Sequence, residues 1–92
     1  MLVMENYKGI SFIDYKELDT MISEGKITGP LERKNICKYH IPFLSVQERC
    51  DKEAANFAKE AGYDTVYISG SSQLIGKGDL VRSYEFYKKK HN

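Results

Sequence analysis

The stretch SVQERCDKEAANFAKEAGYDTVYIS, residues 45–69, decides how this chain is read. It has the pattern of one punctuated helix feeding directly into a buried strand. Val46, Cys50, Ala54, Phe57, Ala58 and Ala61 recur at spacings of three and four, which gathers them on one side of a 3.6-residue helix. Ser45 is placed to cap the start, and Glu48 stands three residues on, at the reciprocal position of a capping box. Gly62 supplies the left-handed stop. From Asp64 to Ser69 the chain changes to a β-branched and aromatic run, the composition of a strand. This is a strong structural signal that carries almost no chemistry.

Upstream, Ile10–Ile13 reads as a short strand. Asp14 then caps a helix beginning near Tyr15, with Glu17 again at the reciprocal position. Leu18, Met21 and Ile22 give this helix an apolar edge and Gly25 ends it. So short a helix is marginal alone and must lean on a sheet. Residues 25–35, with Gly25, Gly29, Pro30 and Asn35, read as a connection in which Ile27 and Leu31 pin the chain across the core edge. From Ile36 to Phe43 the alternation places Cys37, Tyr39, Ile41 and Phe43 inward and Lys38, His40 and Pro42, with Ile36, outward. Pro42 puts that strand at an edge or ends it. On the main helix, Glu48 and Lys52 form a favourably ordered pair four residues apart.

Downstream, Gly70–Asp79 is rich enough in Gly and Ser to read as a long loop. Leu80–Tyr87 reads as a final strand, antiparallel beside 64–69. Leu80, Tyr84 and Phe86 share one parity with Arg82, while Val81 and Tyr87 share the other with Ser83 and Glu85. Such a strand either packs on two faces or exposes its rings, for example to a second copy. The sum is a small two-layer α+β domain of order approximately β-α-β-α-β-β. A mixed sheet of three or four strands is expected, covered by one main helix and spanning residues 1–92 as one domain. Residues 1–8 read as a disordered leader or an extension of the first strand, and residues 88–92 as a basic tail.

At 92 residues the chain holds one modest core, worth about 5 kcal/mol of stability or a little more. The net charge of +1 gives no long-range field to gather nucleic acid or an anionic membrane. No apolar run is long enough for a membrane span. Met1–Met4 meets Glu5 at once without a positive flank, unlike a secretory signal. A cytoplasmic setting is the expectation, with an extracytoplasmic one left open for a chain whose leader has been removed. Cys37 and Cys50 lack the company of a metal motif. Their inferred inward positions leave two readings, a disulfide pinning helix to strand or reduced packing residues, and the cytoplasmic setting favours the second.

Three groups of residues are candidates for function. Gly70, Ser71, Ser72, Gly76, Lys77 and Gly78 offer amides, hydroxyls and a charge to an anion, but the spacing and the strand that follows are not those of a P-loop. His40 reads as a solvated strand residue, and the carboxylates are spread rather than paired, so no catalytic residue, metal or cofactor is assigned. Tyr67, Tyr84, Phe86 and Tyr87, with Arg82 at the margin, make the best binding surface, because Tyr and Arg cover area while keeping a polar contact. The same rings suit core filling, and stacking on single-stranded bases is the third use. The reading that follows is a noncovalent interaction module, binding protein or a second copy of itself through its C-terminal strands, with catalysis left open. A small-ligand or phosphate module centred on residues 70–79 is the alternative.

Overall fold

A computed structural model describes the backbone of residues 6–38, 43–74 and 79–90, and the side chains of those residues outside 37–38, 43–46, 73–74 and 79–80. In chain order the elements are β1 (Asn6–Tyr7), β2 (Ile10–Ile13), α1 (Tyr15–Ser23), β3 (Ile27–Lys38), α2 (Phe43–Ala61), β4 (Thr65–Leu74) and β5 (Asp79–Lys89). The fold is α+β, with a mixed five-stranded sheet in the order β1-β2-β4-β5-β3. β2 and β4 run parallel, and the other neighbours run antiparallel.

The helices begin and end where local chemistry directs. The Asp14 carboxylate accepts the Glu17 amide at 2.8 Å and caps α1, and Gly25 follows with a positive φ of 68°. α2 closes at Gly62, φ 87°, and carries the Lys52–Glu48 ion pair at 2.9 Å. α2 also takes in Phe43 and Leu44, which puts Ser45 inside the first turn rather than at the cap. Among the described residues its buried apolar side chains are Cys50, Ala54, Ala55 and Ala58. Small side chains here let the helix lie close on the sheet, against Ile10, Phe12, Ile36, Val66, Tyr84 and Phe86.

The reverse face of the sheet holds a second, smaller core in which Leu18 of α1 meets Ile27 and Tyr87, flanked by Ile13, Met21 and Tyr67. Successive strand residues face opposite ways, so Tyr84 and Phe86 lie under α2 while Tyr87 lies under α1. Connectivity explains the placement. The crossover from β2 to β3 passes over β4 and β5, and the crossover from β3 to β4 returns across β5. Two crossovers of one hand that travel in opposite directions must carry their helices on opposite faces. A partial third layer therefore backs the sheet that α2 covers.

Strand number and extent depart from the sequence reading. β1 is added by a two-residue turn at Lys8–Gly9, both with positive φ. Residues 27–35, read as a connection, belong to β3, because β5 offers them a ladder from Lys89 to Ser83. β3 absorbs Gly29, a cis Gly29–Pro30 bond and Leu31 as an irregularity between Thr28 and Glu32. Beyond it Ile36 pairs with Arg82 and is buried under α2, reversing the parity inferred for that residue. Strand pairing of β3 ends at Lys38, opposite Leu80, and Phe43 is already helical. Residues 39–42, with His40, lie outside the described residues.

Candidate functional site

Tyr84 and Phe86 have 0 % of their surface exposed and Tyr87 has 2 %. The two-sided apolar pattern of residues 80–87 thus comes from packing on both faces of the sheet, the first of the two explanations open to it. Phe86 is gripped by Phe57 edge-on at 5.1 Å and by Tyr63 stacked at 5.6 Å. The Tyr87 hydroxyl donates to Glu85 Oε1 at 2.8 Å, and burial followed by that carboxylate raises its pKa above the ordinary tyrosine value. Glu85 Oε2 in turn meets Arg33 Nε at 3.0 Å. Tyr67 is half-buried beside Tyr15, with ring centres 6.5 Å apart. These rings do not form an open strip. They pack the base of the β4–β5 hairpin, opposite Thr65–Ile68, between two helices.

Under α2 lies a polar cluster that the sequence reading overlooked. The Tyr84 hydroxyl donates to Asp51 Oδ1 at 2.6 Å, and Arg82 Nε lies 3.4 Å from the same oxygen. The Asp51 and Arg82 side chains are 10 % and 12 % exposed, and Arg82 Nε makes no hydrogen bond among the described residues. Burial pushes the Asp51 carboxyl above its ordinary range, with the Tyr84 hydrogen bond and then the Arg82 charge opposing. Burial also raises the Tyr84 pKa, and the hydrogen bond to Asp51 raises it further. A signal was present in the sequence: Asp51 stands four residues before Ala55 and seven before Ala58, on the flank of the apolar stripe. Only 7 % of the Asp51 surface is exposed, so among the described residues the carboxylate is enclosed by protein atoms and lines no open cleft. A shallow groove of about 360 Å³ lies instead on α1, lined by Lys16, Glu17, Thr20, Met21, Glu24 and Lys26. Among the described residues no three metal-ligating side chains cluster, and no helix is long and apolar enough to cross a membrane.

The glycine-rich passage is mostly strand. Gly70, Ser71 and Ser72 pair with Ser83, Arg82 and Val81, which leaves only residues 75–78 between β4 and β5. Gly70, Ser71 and Ser72 thus stand in an extended strand with one side hydrogen-bonded to β5, rather than in a loop. The other members of the suggested anion site, Gly76, Lys77 and Gly78, lie outside the described residues. So does the Cys37 side chain, and with it the suggested link to Cys50, which is itself fully buried. The lysine run is an extension of β5, with Lys88 opposite Thr28 and Lys89 opposite Ile27. The Lys89 amide donates to Asp64 Oδ1 at 2.9 Å and its Nζ to Ser11 Oγ at 3.2 Å.

What the architecture leaves open is backbone. β2 accompanies β4 only through Thr65, Val66 and Tyr67. From Ile68 to Leu74, β4 pairs with β5 on one side, and among the described residues no strand pairs with it on the other. A bulge between Ile68 and Gly70 marks the change, and the ladder is regular from Gly70 to Leu74. This seven-residue edge, ISGSSQL, holds no charge and no proline. The other long edge, β3, carries Pro30, an irregularity and the run Glu32-Arg33-Lys34. Those are the devices by which sheet edges are closed to further pairing. Compared with protein-family models, curated proteins and solved structures, the chain matches none of them.

Proposed function

We propose that this protein is a noncovalent interaction module that binds protein by taking an extended strand onto the free edge of β4, over residues 70–74. The observation that carries the reading is the mismatch in length between β2 and β4, which among the described residues leaves that edge paired on one side only. An unpaired edge presents a row of N–H and C=O groups. A partner strand satisfies them through its own backbone, while alternate side chains add selectivity. The buried rings of Tyr84, Phe86 and Tyr87 serve by anchoring the base of that hairpin in the core, opposite Thr65–Ile68.

Selection of extended eight-residue peptides by phage display, followed by amide chemical-shift mapping, tests the proposal. The expected result is that selected peptides shift the amides of residues 70–74. Their affinity for Ser71→Lys, a charge set on an exposed edge position, should fall about tenfold or more. Peptides that shift only other residues, or that bind Ser71→Lys equally well, would remove it.

A further inference from the structure

We infer that the occupant of the β4 edge is a second copy of this chain, paired antiparallel across a twofold axis with Ser72 facing Ser72. The inference rests on the strand-edge reading above and adds the identity of the partner. Among the described residues the sheet has three edges at which a strand can be added. β1 takes up two of those residues, too few to hold a partner. The outer side of β3 is guarded by Pro30, by the irregularity between Thr28 and Glu32 and by three consecutive charges. A β4 edge laid on the β3 edge of the next copy would be a head-to-tail contact, which propagates into a filament unless the rotation closes. The guards on β3 oppose that mode. β4 laid on β4 uses the same surface twice and closes at two copies.

Charge and register favour the same pairing. The edge is uncharged from Ile68 to Leu74 and the whole chain carries +1, so two copies meet without strong repulsion. In an antiparallel twofold pair, the overlap is fullest when the middle residue lies on the axis. With Ser72 there, Gly70 faces Leu74, Ser71 faces Gln73, and the bulge before Gly70 stays outside the paired segment. The two five-stranded sheets then continue as one through their β4 strands. The overlap is short, so the association is weak and concentration-dependent.

Sedimentation velocity from about 10 μM to about 1 mM, the range in which a weak pair forms, reads this directly. The wild-type mass is expected to move from one chain toward two, with amide-exchange protection of residues 70–74 rising in parallel. Ser72→Lys and Ser72→Glu, both at an exposed position, should each remain at one-chain mass because like charges oppose across the axis. Their equimolar mixture should recover the two-chain mass. A wild type that stays at one-chain mass while peptides still shift residues 70–74 overturns self-pairing and leaves the strand-edge reading standing. If no peptide shifts those amides either, both fall. A two-chain species that Ser72→Lys leaves unchanged, or a mass above two chains, also overturns the inference.

Discussion

Replacing Tyr84 with Phe removes one hydroxyl and leaves the ring in its place against Phe86. The lost oxygen donates to Asp51 Oδ1 at 2.6 Å, beneath a helix that leaves Tyr84 no exposed surface. A hydrogen bond to a charged group contributes about 1.5–3 kcal/mol, and water cannot readily replace this one. Tyr84→Phe should therefore cost about 1.5–3 kcal/mol above the pH at which folded Asp51 ionises. The cost depends on pH. Burial raises the folded Asp51 pKa above its ordinary value of 3.8, and Tyr84, then Arg82, oppose that rise. The folded state thus holds the Asp51 proton more tightly than the unfolded state. Its contribution to stability is greatest below the unfolded pKa and declines as pH rises to the folded pKa. Without the Tyr84 hydroxyl the folded pKa climbs further, and the decline continues to higher pH. The gap between wild type and variant should be about 0.5–1.5 kcal/mol in acid, where a neutral pair is lost, and should widen toward neutral pH. Urea midpoints followed by circular dichroism from pH 3.5 to 8 would measure it, with an unchanged slope verifying that only stability moved. In an Asp51→Asn background the widening should vanish, since no carboxylate remains to titrate. A Tyr84→Phe cost that is the same at both ends of the range would refute this account of the cluster.

Three further substitutions test other parts of the fold. At Gly29, φ is +142°, and a Cβ would lie 2.7 Å from Tyr87 Cδ2 and 2.8 Å from the Leu31 amide nitrogen. Gly29→Ala should cost about 1–3 kcal/mol by thermal unfolding, and an unchanged Tm would mean that the β3 irregularity is misplaced. Asp14→Ala removes the α1 cap and should cost about 1 kcal/mol, whereas Asp14→Asn should cost much less; equal losses would contradict the capping assignment. Arg33 is 72 % exposed, so Arg33→Ala should shift stability by only about 0–1 kcal/mol despite its 3.0 Å contact with Glu85. A larger loss would mark that pair as part of a tighter network with Tyr87.

The sequence by itself determined the helices, because what starts, stops and faces a helix is written within a few residues. Asp14 and Glu17, Gly25 and Gly62, the Glu48–Lys52 pair and the Cys50-Ala54-Ala58 stripe are local signals, and each operates locally. The α+β class and the β-α-β-α-β-β order followed from them. Only the tertiary structure decided the rest of the sheet. Residues 27–35 and 70–74 have poor strand composition, and they are extended because β5 lies between them and offers both a ladder. Bulges near Gly29 and Ser69 then shift the side-chain parity in a way that alternation cannot anticipate. The fate of the β5 rings rested on the two crossovers travelling opposite ways and covering both faces. Among the described residues the far half of β4 lacks a second neighbour for a related reason: β2 ends after four residues while β4 continues. Hydrogen bonds between distant strands, rather than any short-range preference, determine which backbone remains unpaired.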